Sequence, residues 1–134
     1  MKHFIAYHST EGMGYELHFD SDYRFHTSNP ETVLKRSIGE RLWIITGTYE
    51  HGRTKTFRLL AYYTPTKVEP SDRKGFDFQI VGRKGKEFSN PPVLNEREWF
   101  KELKKSLGNF SFGVREIHSQ DATSGLRSLE KSLS

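Results

Sequence analysis

The sequence predicts an α+β fold in which a curled sheet carries about three short helices. Segments rich in aromatic and β-branched residues dominate the chain, and short turns with glycine or proline separate them. Helical patterns occur three times, and long crossovers of the kind that join parallel strands are missing. The order of strand, helix, several antiparallel strands, helix, strand and helix therefore favours a curled antiparallel or mixed sheet over a doubly wound one.

The first elements are a strand and a short helix. Residues 3–8 alternate well enough to form a strand, and the glycines in residues 12–14 then break the pattern into a loop. Residues 15–25 favour short extended pieces. Asn29 is placed to cap a helix that starts at Pro30 and ends near residue 37, since proline at the first helical position loses no hydrogen bond.

A hairpin forms the middle of the chain. Residues 41–49 and 54–63 are rich in β-branched and aromatic side chains, and the connection between them contains Gly52. Prolines and polar residues predict a loop over residues 65–75, after which residues 76–81 alternate as a further strand. These segments supply most of the predicted sheet.

The last third contains two helices around one strand. Residues 83–86 read as a turn, and Asn95 caps a helix that ends before Gly108. A strand over residues 109–117 and a helix from residue 119 onwards complete the chain.

The strand over residues 109–117 has two distinct faces. Phe110, Phe112 and Val114 alternate toward a core, where Phe110 and part of Phe112 anchor the sheet to the preceding helix. The other face is small, polar and cationic, and it suits the wall of a pocket for a flat ligand; its residues are Ser111, Gly113 and Arg115.

Positive charge is concentrated in one part of the chain. The net charge is +4 with a pI near 9.3, and most of the excess lies between residues 51 and 86. Cations on turns are placed to contact phosphates, although a solvated basic face explains the same pattern equally well. The candidate phosphate contacts are Arg53, Lys55, Arg73, Lys74, Arg83, Lys84 and Lys86, joined by Arg115, for which a salt bridge on the sheet is the alternative.

Composition excludes several classes of protein. The absence of cysteine removes disulfides, thiolate nucleophiles and sulfur-ligated zinc, and the spacing of the six histidines supplies no metal motif. Phosphate-binding and dinucleotide glycine patterns are missing, so no cofactor is expected. The apolar stretch at residues 3–7 is too short for a signal peptide or a membrane span, and we expect one cytoplasmic domain over residues 1–134.

Five segments spread over nearly the whole chain match a known family pattern. Residues 6–9 (Ala-Tyr-His-Ser) end the first strand, and residues 38–44 (Ile-Gly-Glu-Arg-Leu-Trp-Ile) place a glycine and an acidic residue before another. A helix with Trp99 and Phe100 precedes residues 110–113 (Phe-Ser-Phe-Gly) and a last leucine helix. In these features the chain resembles the PUA-like superfamily, and within it the EVE-type domains that read modified bases in DNA.

The resemblance implies a PUA-like barrel and a pocket for an extruded base between the first strand and the barrel strands. Such a pocket needs at least one aromatic ring against which the base stacks. The candidate lining residues are Tyr7, His8, Ser9, Trp43, Tyr62, Tyr63, Ser111, Phe112 and Gly113. Trp43 and Tyr7 are favoured because their N–H and O–H groups need a polar partner, whereas core packing explains the phenylalanines as well.

Three functions follow, in order of preference. The first is a DNA-binding module for a modified base, with modified cytosine favoured, that serves a modification-dependent restriction system whose nuclease is fused or belongs to a partner chain. The second is an RNA-binding PUA-like or ASCH-like module. The third is a small enzyme acting on nucleotides or RNA, with His8 or Glu40 as acid or base. Glu102 and Lys104 lie on a solvated helix face, so a nuclease in this chain is not expected, and neither is a membrane partner.

Overall fold

The computed structural model describes residues 1–15, 17–108 and 113–133. Within these ranges the elements, in chain order, are β1 His3–Ser9, α1 Thr10–Met13, β2 Tyr23–Thr27, α2 Glu31–Lys35, β3 Arg41–His51, β4 Thr54–Pro70, β5 Phe78–Glu87, α3 Glu98–Ser106, β6 Val114–Ile117 and α4 Gln120–Leu133. The six strands form one mixed sheet in the order β2-β5-β4-β3-β1-β6. Strands β1 and β3 are parallel and the other pairs are antiparallel, which confirms the predicted α+β class.

The sheet is curled, and Asn29 links its two edges. This residue follows edge strand β2, and its side-chain oxygen accepts a hydrogen bond of 3.2 Å from the backbone N–H of Val114 in edge strand β6. A Cβ at position 113 would stand 2.7 Å from the same oxygen, so a larger residue there would displace the Asn29 amide. The sequence predicted Gly113 as part of a pocket wall, and in the fold the amide of Asn29 lies against it.

Two hydrophobic layers cover the two faces of the sheet. Helices α3 and α4 pack on one face through Phe100, Leu103 and Leu126, among others. The opposite, concave face buries a second layer that includes Phe4 and Tyr63. Within the described ranges, no helix combines the length and the apolar character needed to cross a membrane.

Two strands are longer than predicted. Strand β4 continues through Pro65, where register shifts on both sides accommodate a residue that has no N–H to donate. Strand β5 includes the predicted turn at residues 83–86. The glycines at 82 and 85 lie so close to the backbone of β4 that a Cβ at either would overlap a carbonyl oxygen. These two glycines allow β5 to approach β4 closely, and the prediction of a turn was wrong.

Helix α1 replaces a predicted loop, and both predicted asparagine caps were wrong. Ser9 caps α1 by accepting from the N–H of Gly12, and Gly14 ends it with φ of 80°. Asn29 precedes α2, whose cap position is Pro30, and Asn95 precedes α3, whose cap position is Arg97. Each asparagine side chain instead binds backbone of a neighbouring segment.

Candidate nucleic-acid site

Strand alternation separates the side chains that were predicted to share one pocket. Successive side chains of β1 point to opposite faces, so Tyr7 joins the layer under the helices while His8 lies on the concave face. The ring of Tyr7 packs over Gly47 and lies 5.9 Å from the ring of Phe57. Tyr7 and His8 therefore do not line the same cavity.

Trp43 is a core residue. Its side chain is fully buried, its indole N–H donates to Nδ1 of His3 at 3.0 Å, and its ring stacks on His3 with a centroid distance of 6.1 Å. Tyr62 packs against it from β4, and the guanidinium of Arg41 lies 4.1 Å from the Tyr62 ring centre. The predicted stacking ring thus has no face open to a ligand.

Tyr63 is also fully buried, on the concave side. Its hydroxyl donates to the carbonyl of Ile80 at 2.7 Å, and its ring stacks on Tyr23 at 5.3 Å. Burial raises the pKa of Tyr63 well above its ordinary value, so the hydroxyl stays protonated as a donor. Its neighbour Tyr62 lies on the other face of β4, as the period of two requires.

The other predicted lining residues that the structure describes lie in separate places. Ser9 caps α1 and its hydroxyl accepts from Nζ of Lys55 at 2.9 Å. Gly113 borders a depression of about 380 Å³ that Met13 and Phe76 also line. Ser111 and Phe112 lie outside the described residues.

A cleft of about 540 Å³ opens beside strand β2, and we call it the Tyr15 cleft. Its size is within the range of about 300–1,000 Å³ that is usual for ligand sites. The residues that line it are Tyr15, Leu17, His18, Asp20, Ser21, Asp22, Arg24, His26, Asp72 and Arg73. They come from the segment after α1, from strand β2 and from the connection between β4 and β5.

Tyr15 is the aromatic ring of this cleft and is held from several sides. His8 meets it edge-on at 4.8 Å and Phe76 at 6.3 Å, both measured between ring centres. The guanidinium of Arg73 lies 3.7 Å from the ring centre, and Nε2 of His8 is 2.7 Å from the Tyr15 carbonyl oxygen. The positive φ of Gly14 turns the chain at the end of α1, directly before Tyr15.

Burial keeps the two inner histidines neutral at pH 7. It is the largest cause that lowers the pKa of His8, and the charge of Arg73 adds to it while the hydrogen bond to Tyr15 opposes it. Burial likewise lowers the pKa of His26, where the carboxylate of Asp72 opposes the effect and Arg73 reinforces it. Since His26 also binds Ser71 through Nδ1 at 2.9 Å, a neutral, oriented imidazole faces the cleft.

The charges around the cleft balance in part. Asp22 lies 3.5 Å from a guanidinium nitrogen of Arg24 and 3.6 Å from one of Arg83, and Arg24 also binds Glu69. Arg73 is exposed and makes its ring contact with Tyr15. A flat polar ligand therefore finds a ring, an imidazole and guanidinium groups within one cleft, which is the chemistry that a nucleobase with its phosphate needs.

The residues predicted to contact phosphates do not lie together on one turn. Arg53 and Lys55 belong to the β3–β4 hairpin, Arg73 and Lys74 to the β4–β5 connection, and Arg115 to β6. The other three lie along strand β5: Arg83, Lys84 and Lys86. Lys86 is half-buried with Nζ 5.8 Å from the ring centre of Phe88.

The candidate acid and base of the enzyme hypothesis lie far apart. His8 pairs with Thr46 across β1 and β3, and Glu40 precedes Arg41, the partner of His3. Five residues of strand separate the two pairs, which amounts to roughly 16 Å. The hypothesis names either His8 or Glu40, and the distance shows that the two do not share one site.

Comparisons with known proteins agree with the predicted fold. The chain superposes on the crystal structure of human THYN1 protein in complex with DNA containing 5-methylcytosine, with a TM-score of 0.54 and 10% sequence identity. The match covers 97% of this chain and 98% of the other. No family model matches the chain, and no curated protein matches its sequence. The fold is thus the PUA-like α+β fold that the sequence resemblance implied.

Sequence reasoning missed the ring of the cleft. Tyr15 lies in the segment for which the sequence predicts only short extended pieces, the sequence favours an ordinary surface role for His26, and no motif marks Arg24. A local signal was present, because Gly14 directly precedes Tyr15 and a glycine adopts the positive φ of a chain turn readily. The partners of Tyr15 come from residues 8 and 73–76, and only the tertiary structure brings these segments together.

Proposed function

We propose that this chain is a DNA-binding module that recognises a modified base, with modified cytosine favoured, by extruding it into the Tyr15 cleft. The observation that carries the proposal is the likeness, over nearly the whole chain, to a protein crystallised with DNA containing 5-methylcytosine. A cleft with an aromatic ring, a neutral imidazole and guanidinium groups supports it.

The ring of Tyr15 is the proposed stacking surface for the base. Extruding a base costs a few kcal/mol, and stacking on an aromatic side chain returns about 1–3 kcal/mol. Arg73 covers this ring in the free chain, but its side chain is exposed and lies on a connection between strands. We propose that Arg73 leaves the ring when the base enters and pairs with the phosphate of the extruded nucleotide.

Imidazole and guanidinium groups would read the edge of the base. His26 is held by Ser71 and lines the cleft, so its second ring nitrogen is the proposed partner of the base edge. Lys74 follows Arg73 on the same connection, and Arg83 pairs with Asp22 at the cleft wall. These cations are the proposed contacts to flanking phosphates, together with the more distant Lys84, Lys86 and Arg115.

We further propose that the module supplies specificity to a modification-dependent restriction system. The cutting activity would then come from a nuclease fused to this module or present in a partner chain. Co-purification of DNA cleavage with the module, on modified but not plain DNA, tests this part separately.

Binding measurements by fluorescence anisotropy at one salt concentration test the main proposal. The probes are duplexes with 5-methylcytosine, 5-hydroxymethylcytosine or plain cytosine at one position, and an RNA of the same sequence. We expect a modified duplex to bind most tightly, Tyr15→Ala to remove the preference and Tyr15→Phe to keep it, because phenylalanine retains the stacking ring. Equal affinity for all three duplexes would refute the proposal, and preference for the RNA would support an RNA-binding module instead.

A second variant covers the case in which Tyr15→Ala does not fold. Arg73→Gln removes an exposed charge and leaves the core intact. It should weaken binding to all the duplexes and lower the slope of log affinity against log salt by about one. Lys105→Gln, on the exposed side of α3, is the matched control and should leave both quantities unchanged.

A further inference from the structure

The β3–β4 hairpin carries an exposed tyrosine that the Tyr15 cleft does not use. Tyr49 is 50% exposed, and it is the one aromatic residue among the exposed large hydrophobic side chains of the described ranges. The register between β3 and β4 shifts between Thr48 and His51. Such an irregularity turns side chains away from the regular faces of the sheet, and it leaves the ring of Tyr49 open to solvent.

The backbone at Tyr49 is fixed in place. One carboxylate oxygen of Glu11, in α1, accepts hydrogen bonds from the Tyr49 N–H and from the hydroxyl of Thr48, each at 2.8 Å. The first of these bonds is the main cause of a lowered pKa at Glu11. The hairpin is thereby joined to the helix that leads directly into Tyr15. An exposed ring on a fixed backbone loses little conformational freedom on binding, which favours a role in recognition.

A cation lies beside the ring, and the carboxylate of Glu11 binds the backbone below it. Nζ of Lys55 lies 5.4 Å from the Tyr49 ring centre, and Arg53 is exposed at the hairpin turn. The one acidic residue of the hairpin, Glu50, forms two hydrogen bonds of 2.8 and 2.9 Å with Arg58. Its charge is therefore compensated locally, and a ring beside a lysine ammonium suits the contact with a nucleic-acid strand.

We propose that Tyr49, with Lys55 and Arg53, forms a second nucleic-acid contact that stacks on an unpaired base. The contact rests on the proposed function, since it serves the nucleic acid that the Tyr15 cleft would bind. Nζ of Lys55 lies near the rings of both Tyr49 and Tyr7, so this contact is on the side of the sheet that holds Tyr7, away from the Tyr15 cleft.

Anisotropy titrations with a short single strand of plain sequence test this contact directly. We expect Tyr49→Ala to weaken binding by about 5- to 150-fold, the loss that corresponds to one stacked base. Tyr49→Leu should lose as much, since it keeps apolar bulk without a ring, and Tyr49→Phe should bind like the unaltered chain. Ile38→Ala, which trims another exposed apolar side chain, is the control.

Salt dependence separates stacking from charge. Tyr49→Ala should leave the slope of log affinity against log salt unchanged, whereas Arg53→Gln should lower it by about 0.7 for a single strand. Unaltered affinity of both Tyr49→Ala and Tyr49→Leu would overturn the proposal. If the chain does not discriminate modified from plain duplex, the proposed function fails, and the single-strand titration still decides whether Tyr49 contacts nucleic acid.

Discussion

Replacement of Trp43 by phenylalanine distinguishes a core residue from a ligand-stacking residue. The structure places the indole in the core, fully buried and hydrogen-bonded to His3, so the variant should lose stability and keep its ligand preference. Had Trp43 been the stacking ring, the same change would cost little stability, because a ring that is open to a ligand makes few core contacts.

The magnitude follows from the contacts that are lost. Truncation of a buried Trp to Ala costs about 3–5 kcal/mol, and Phe keeps most of the ring, so we assign about 1–2 kcal/mol to the smaller side chain. Loss of the bond to His3 adds about 1 kcal/mol. The expected total is about 2–3 kcal/mol. With an unfolding entropy of about 2.1 cal/mol/K per residue over 134 residues, the melting temperature should fall by about 7–11 °C.

Urea denaturation and thermal melting followed by circular dichroism measure this change. Trp99→Phe is the matched control, because that indole is only partly buried and should cost less. Binding of modified and plain duplexes is then compared below the melting temperature. A Trp43→Phe variant that is as stable as the unaltered chain, or one that folds but no longer discriminates, would refute the reasoning.

Three further outcomes are expected. Burial lowers the pKa of His8 from its ordinary value of about 6.5, so on acidification the unfolded chain takes up this proton at a higher pH than the folded chain does. The free energy of unfolding therefore falls as the pH drops below about 6.5. In urea titrations, His8→Gln should reduce this loss by up to about 1.4 kcal/mol per pH unit. Asn95→Asp should destabilise by about 1–3 kcal/mol, because it loses the amide donor to a strand carbonyl, whereas Asn90→Asp, at an exposed site, should not. Gly125→Ala should cost about 1–3 kcal/mol in thermal melts, because its Cβ would overlap the indole of Trp99.

Each of these three predictions can be contradicted by a specific result. An acid-side stability profile unchanged by His8→Gln would mean that this imidazole is protonated equally in both states. Full stability of Asn95→Asp would restore its predicted role as a helix cap, since aspartate caps as well as asparagine does. Ser124→Ala is the control for Gly125→Ala, and equal melting temperatures of the two variants would show that α4 shifts at no cost.

The predicted strands and helices rested on local patterns, and most were confirmed. The hairpin of β3 and β4, the helix with Trp99 and the terminal helix were all expected from periodicity and turn residues. The secondary-structure predictions were wrong where contact with a neighbouring strand determines the local conformation. The backbone of β4 crowds the glycines of β5, which turned a predicted turn into strand, and a register shift admitted Pro65 into β4.

The two asparagines show why local rules failed at the helix starts. Asn29 and Asn95 each precede a helix, and the capping preference predicted their roles from sequence distance alone. In the fold each amide hydrogen-bonds to the backbone of a segment distant in sequence, Val114 for the first and residues of β4 for the second. A buried backbone group without a partner is costly, so the distant contact prevails over the local one.

The sequence by itself determined the fold class, the positions of most strands and helices, the basic character and the resemblance to modified-base readers. Only the tertiary structure decided which aromatic rings are buried, because alternation along a strand tells which residues share a face but not what covers that face. It placed Trp43 and Tyr63 in two separate cores and left Tyr15 in a cleft with His26 and Arg73. These partners are far apart in sequence, and the curl of the sheet brings them together.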